Sequence, residues 1–352
     1  MQALLNGPYR RPARTTDGFA AVPRCWLNMK ASVIIPTYNR RDQLICAIKS
    51  VLGQTVPANE IIVVDDGSTD DTAGAIRKLA REDIRYLRHN TNRGPGAARN
   101  IGIREARGEL ISFLDSDDLW KPDKLRSGMA FLAAHPEADG VFTDVELYRG
   151  LEFTPSVAGT HAPFRRLIAG RSSPEGNVFG KREMYLCLLE DMPAKIQAVT
   201  LRRSSLADMD LFREDFAAGE DWEFLLRFSR SHVWGYIARP LVTQQVMPDS
   251  TLGRHSTEDA RLLMGRFIEE KRSLKGDPEG MRAVSRGIAH HGRRLGWLYL
   301  HAGHGWQAAS AYFRTSVEAR DPGSIIRIFG IVLPTPLRKH VSRLARRASF
   351  LV

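Results

Sequence analysis

Hydrophobic and polar residues change period along this chain in a regular way. Residues 32–35, 60–64, 84–87, 110–114 and 141–147 are short runs dominated by apolar residues, and each reads as a buried strand. Between them the period lengthens. Leu44, Ile48, Val51 and Leu52 mark one face of a helix that Asn39 can cap and Gly53 ends. A short helix follows the second strand as far as Ala80, and residues 94–102 (GPGAARNIG) open another. Pro122 is predicted to start a fourth, with Leu125, Met129 and Leu132 on its apolar face. Four consecutive strand–helix units predict a mainly parallel sheet in a three-layer α/β/α fold. Such sheets bind ligands at the carboxyl ends of their strands.

That rule gathers the polar clusters at one rim. The fourth strand delivers Asp115, Ser116, Asp117 and Asp118. Carboxylates this close raise one another's pKa unless positive charge sits among them, and a divalent cation is the usual means of keeping them ionised. Tyr38 follows the first strand, and Asp65 and Asp66 follow the second. An aromatic ring can stack on a base, a carboxylate can accept from a base or ribose, and a cation can bridge phosphates. The set suits a nucleoside diphosphate. Asp70, Asp71 and Asp118 read as helix N-terminal acids that meet the macrodipole.

Charge changes the picture only by its location. The chain has 352 residues and a formal net charge of +11, but residues 1–30 net +4, residues 323–352 net +6, and the remainder nets +1. The ends, not the main domain, are basic. This pattern suits an anionic membrane surface and not nucleic acid. Three widely spaced cysteines, Cys25, Cys46 and Cys187, fit a reducing compartment without disulfides or a zinc site. Residues 1–30 show no sustained period and are expected to be disordered, with Met29 as the expected natural start. No apolar run approaches the roughly 20 residues of a transmembrane helix, and the first residues lack the apolar core of a secretory signal. The expected location is cytoplasmic and peripheral, on the inner face of the cytoplasmic membrane.

Four segments, SVIIPTYNR (32–40), IIVVDDGSTDDT (61–72), NRGPGAARNIGI (92–103) and ISFLDSDDLWKPDKL (111–125), resemble in order and spacing the family 2 glycosyltransferases of the GT-A fold. The resemblance covers about residues 31–250. It implies a GT-A nucleotide-diphospho-sugar transferase domain over 31–255, with a nucleotide-binding half (31–149) and an acceptor half (150–255). It also implies transfer of one sugar from a nucleotide sugar, a UDP-sugar, with inversion, onto a glycan or lipid-linked acceptor of a bacterial surface. By the same resemblance Pro36, Tyr38 and Asp65 surround the nucleobase with Asp66 as their neighbour. Gly96 and Arg99 lie near the diphosphate, where helix amides and a guanidinium favour anionic oxygens. Asp117 ligates Mn2+ or Mg2+, with Asp115 and Ser116 assisting at the metal or ribose. In FAAGEDWEFLLR (216–227), Asp221 is the implied base for the acceptor hydroxyl and Glu220 its support. Gln245 and Met247 stand where relatives carry Arg and His, with His255 close by. The signature of processive synthases is absent.

Residues 256–352 are expected to form a separate helical layer: a helix over 258–274, two more over 281–320 broken at Gly303 and Gly305, and a basic amphipathic tail at 337–351 that reads as an interfacial anchor. The stretch 295–322 resembles one tetratricopeptide-type hairpin. His290, His291, His301 and His304 follow no zinc spacing and are assigned to a solvated face. Three competing readings are a nucleotide-sugar-binding or membrane scaffold without turnover, a sugar nucleotidyltransferase, and a dehydrogenase. The second lacks a glycine-rich loop after the first strand. The third rests on Gly94-x-Gly96 alone, after the wrong strand.

Overall fold

The computed structural model describes residues 29–171, 173, 176–246 and 256–332. Strand β1 (Ala31–Thr37) leads to helix α1 (Arg41–Leu52), β2 (Glu60–Asp65), α2 (Thr72–Leu79), β3 (Ile84–Arg88), α3 (Pro95–Glu105) and β4 (Leu110–Phe113). Next come the two-residue β5 (Leu119–Trp120), α4 (Lys124–Ala134), the long β6 (Gly140–Arg149), β7 (Glu152–Thr154), α5 (Ala162–Ile168), β8 (Asn177–Phe179), α6 (Lys181–Leu188) and β9 (Val199–Arg202). Helix α7 (Glu220–Ser229) and β10 (Trp234–Gln245) complete the sheet region. Helices α8 (Thr257–Ser273), α9 (Pro278–His301), α10 (Gly305–Ala319) and α11 (Pro322–Val332) follow.

The sheet order is β3-β2-β1-β4-β9-β6-β10-β5, with β7 added to β6 and β8 to β10. The first four strands are parallel, with Ile34 level with Ile62 and Phe113. Beyond them β6 and β10 keep the same direction, so the sheet is mainly parallel, with antiparallel strands added. Strand β9 is wedged between β4 and β6 and runs antiparallel to both, so its first residues lie at the rim where the parallel strands end. Strand β10 runs parallel to β6 and antiparallel to β5.

The strands divide their side chains by a period of two, because both faces of the sheet are covered. Val33, Ile35, Ile61 and Val63 pack with Leu44, Ile48 and Val51 of α1 and with Leu125 and Met129 of α4. On the other face Ile34, Ile62 and Val64 pack with Ala98 of α3, and this core continues through Phe113, Phe142, Phe224 and Trp234. It also takes in Met264, Phe267, Val284, Ile288 and Ala311, so the C-terminal helices share the core of the sheet and do not close one of their own. Glycines let them approach. A Cβ at Gly287 would collide with the Leu189 carbonyl and Phe267, and at Gly292 and Gly296 with Thr315 and Tyr312 of α10.

Other local expectations shift. Helix α4 begins at Lys124, and Pro122 lies in the turn before it. Asn39 has a left-handed φ of 51° and makes no cap; its carboxamide oxygen accepts from the Thr69 amide at 2.7 Å and so ties two rim loops together. Asp118 precedes β5 and is buried, so it is not a helix N-terminal acid. His291 is buried against Trp222 and Phe267, not on a solvated face, because α9 packs that side onto α7. The expected disordered start (residues 1–28), Met247, His255 and the basic tail lie outside the described residues. Among the described residues no helix is long and apolar enough to cross a membrane.

Candidate active site

Strands β1, β2 and β4 finish level with one another, and the loops that leave them are zipped by main-chain bonds. Asp66 N–H donates to Thr37 O at 2.8 Å, and Leu114 N–H to Ile34 O at 3.0 Å. Pro36 is buried within β1, while Tyr38 just beyond it is 43% exposed and lies open on the rim. Asp65 is buried and accepts from the Ser68 amide at 2.7 Å and from the Tyr86 hydroxyl; burial, then that carboxylate, push the Tyr86 phenol well up. Asp66 turns the other way. Its carboxylate touches His89 Nδ1 at 2.5 Å and accepts from the amides of Arg93 (3.0 Å) and Gly94 (2.7 Å), fixing the start of α3. Gly94 has φ 90°, a conformation that favours glycine, and Pro95 follows as the first helical residue.

Gly96 is buried because the loop at Arg213 crosses the first turn of α3; a Cβ there would stand 2.7 Å from the Arg213 carbonyl. Asn100 holds the same loop by donating to Phe212 O at 2.8 Å and accepting from Phe212 N–H at 2.8 Å. One residue earlier, Arg99 links the two halves of the rim. Its buried guanidinium donates to Asp115 Oδ1 at 2.7 Å and Glu220 Oε1 at 2.5 Å, over the face of Phe212. Its Nε has no acceptor among the described residues. Two carboxylates on one guanidinium hold Arg99 charged against the cost of burial.

The acidic turn is electrostatically crowded. Arg40 pairs with Asp117 at 2.5 Å. Burial still raises the Asp117 carboxyl, with Arg40 lowering it and Asp115 pushing it up again. Burial, then Asp117 and Asp115, hold Asp118 well above the ordinary range, and its buried Oδ2 meets no donor among the described residues. Ser116 is buried between them. Across the cleft Gly219, with φ 94°, turns the chain into α7. Burial pushes the Glu220 carboxyl up to about 7 against the pull of Arg99, while Asp221 is half-buried. Lys195, just before β9, lies near Asp221 and Asp191; burial lowers its ammonium pKa and the two acids oppose that.

The sequence-predicted residues therefore fall into three groups. Asp115, Ser116, Asp117, Arg99, Glu220 and Asp221 are brought together. Tyr38 stands alone on the rim. Pro36, Asp65, Asp66 and Gly96 are buried beneath it. Arg40, Asn100, Lys195 and Asp259 were not singled out. Asp259 of α8 accepts from the Ala217 and Ala218 amides at 3.0 and 3.1 Å, directly ahead of Gly219 and the two acids. Only Ser256-x-x-Asp259, a helix-start signature, could have drawn attention to it. A cavity of about 720 Å3 lined by Met29, Leu110, Arg202 and Leu211 opens at the opposite end of the sheet, away from this chemistry.

An α/β sheet of this order, with acids on both sides of its rim, defines the class as a fold of the GT-A type. The comparisons agree. Residues 32–205 match the model of glycosyl transferase family 2. An uncharacterized glycosyltransferase of Haemophilus influenzae is 42% identical over 197 residues, covering 55% of this chain and 70% of the relative. The chain belongs to glycosyl transferase family 2. The Escherichia coli enzyme WfaP, a UDP-Glc:alpha-D-GlcNAc-diphosphoundecaprenol beta-1,3-glucosyltransferase, is 38% identical over 117 residues, 33% of this chain and 45% of the relative. Among solved structures, Staphylococcus aureus TarS 1–349 in complex with UDP-GlcNAc superposes with a TM-score of 0.61 over 91% of this chain and 88% of that one, at 20% identity. The chain spans only 32% to 33% of the length of its Rickettsia relatives.

Proposed function

We propose that the protein transfers a single sugar from a UDP-sugar, with inversion, to a glycan or lipid-linked acceptor at the inner face of a membrane. The observation that carries this reading is the Arg99 bridge, which joins the acidic turn after β4 to the acids that open α7. Donor and acceptor chemistry are thereby held on opposite walls of one cleft. WfaP, with its UDP-sugar donor and lipid diphosphate acceptor, supports the substrate class.

The acidic turn fits a divalent cation. Asp117 and Asp118 carry raised pKa values and Asp118 has an orphaned buried oxygen, which is the signature of missing positive charge. Among the described residues no three acidic, His or Cys side chains converge on one point. Mn2+ or Mg2+ held by Asp117 and Asp115 would draw its remaining ligands from substrate phosphates. Once bound, the ion would supply Lewis-acid stabilisation of the leaving diphosphate. The chain's own residues do the rest. Tyr38 stacks on the base, the α3 start and Arg40 face the phosphates, Asp221 takes the proton from the attacking hydroxyl, and Glu220 with Arg99 keeps Asp221 in place.

Calorimetric titration of UDP with and without Mn2+ tests the reading, with Asp117→Asn and Asp221→Asn alongside. Metal-dependent UDP binding that is lost in the first variant and kept in the second, together with loss of sugar transfer in both, is the expected result. Binding of GDP, dTDP or CMP in place of UDP would replace the donor. No nucleotide binding at all would replace the enzyme with a scaffold.

A further inference from the structure

Far from the rim, α10 carries an apolar stripe that the core does not use. Trp306 is 88% exposed, Phe313 64% and Val317 59%, and Ile325 at the start of α11 is 46% exposed. At about 100° per residue, Trp306, Phe313 and Val317 project within a sector of roughly 40°, turned away from the Ala308, Ala311, Tyr312 and Thr315 face that α10 buries. Three large apolar side chains exposed along one side of a helix, with only Ser310 between them on that side, suit an interaction site. The charge around it has one sign. Arg320 follows the last residue of α10 and Arg314 lies on the flank of the sector, both exposed. Glu318, the sole acid of α10, is drawn off by Lys271 at 2.9 Å, and Asp321 by Arg293 at 3.2 Å. Residues 333–352, which continue from α11, include five Lys or Arg and no acid.

We infer that this stripe docks the protein on an anionic lipid bilayer. Trp306, Phe313 and Val317 enter the interfacial layer, with the tryptophan at headgroup level, while Arg314 and Arg320 meet the anionic headgroups. A second copy of the chain is a poorer occupant for two reasons. The exposed side chains amount to on the order of 500 Å2, below the roughly 800 Å2 per partner of a specific interface. A symmetric contact would also carry the positive charge of Arg314 and Arg320 into the interface from both copies. The inference rests on the proposed membrane-face function only for its purpose, since a lipid-linked acceptor presents its sugar at that surface; the binding itself is tested without any turnover.

The test is co-sedimentation of the full chain with vesicles of phosphatidylglycerol and phosphatidylcholine in equal parts, and of phosphatidylcholine alone. The expected result is binding to the anionic vesicles, weakened roughly tenfold by the double substitution W306S/F313S and several-fold by R314E/R320E, with little binding to the neutral vesicles. Circular dichroism and thermal midpoints of the variants should match the wild type because the altered side chains face solvent, and W306S alone serves if the double variant fails to fold. Three results would overturn the inference: no wild-type binding to anionic vesicles, equal binding by the aromatic variants, or a wild-type dimer in sedimentation that those variants dissolve.

Discussion

Replacing Asp259 by alanine should loosen, from a distance, the wall of the cleft that carries Glu220 and Asp221. The carboxylate is buried and serves two elements at once: Oδ1 accepts from the Ala217 and Ala218 amides, and Oδ2 accepts from the Ser256 amide at 3.0 Å and hydroxyl at 2.7 Å. Burial alone would raise its pKa, but the donors from Ser256, Ala218 and Ala217 outweigh it and hold the carboxyl below the ordinary aspartate range. Its stabilisation is therefore full above the unfolded pKa and is lost as pH falls through the lowered folded value. Hydrogen bonds to a charged acceptor contribute about 1.5–3 kcal/mol each, while the Ser256 cap on the residue-259 amide is kept. Strain relief and water entry offset part of this, so Asp259→Ala should cost about 4 kcal/mol in urea unfolding near pH 7. Asp259→Asn, which keeps one acceptor oxygen, should cost about half as much. Because Ala217 and Ala218 lead into Gly219, Glu220 and Asp221, turnover should fall in both variants while UDP affinity on the opposite wall is kept. Unfolding free energy within about 1 kcal/mol of wild type for Asp259→Ala, with unchanged turnover, would refute the reasoning.

Three further outcomes follow from the rim. Arg99→Met leaves Glu220 and Asp115 buried without their cation and should destabilise the fold by about 3–5 kcal/mol in urea unfolding; adding Glu220→Leu should restore much of that loss. Glu220, raised to about 7, favours the folded state below its unfolded pKa and loses that contribution as pH rises through 7. Thermal midpoints measured from pH 5 to 8 should fall as pH rises, and Glu220→Gln should remove that slope. Arg40 competes with any cation for Asp117, so Arg40→Met should tighten Mn2+ binding in calorimetry without nucleotide.

Much of this was legible because local signals agreed. Strands β1, β2 and β4 are apolar runs closed by Pro or Asp, and α3 opens on Gly94 and Pro95, so the rim and its acids could be placed from composition and order. Strand β5 is two residues long, and β9 is a four-residue VTLR with no alternation of its own, so their positions are decided by neighbouring strands. The role of Arg99 was legible only as a positive charge near phosphate. Its partners come from residues 16 and 121 positions away, and only packing brings Glu220 onto it. Asp118 misled for the converse reason: an acid ahead of a proline looks like a helix start, and burial under β10 is a tertiary fact.

The sharing of one core by the sheet and the last helices has a consequence in time. Phe113 meets Phe212 edge-on, and the core they share runs on to Phe267, Ile288 and Ala311, up to about 200 residues further along the chain. During synthesis the first four strands can pair and α3 can cover part of their second face, but the rest of that core stays open until α10 has left the ribosome. At roughly 5–20 residues per second that interval lasts about ten seconds or more, during which unfinished apolar core surface is open to other nascent chains. A chain terminated near residue 255 is frozen in that half-made condition, so it should accumulate with chaperones or in aggregates and not as a smaller working enzyme.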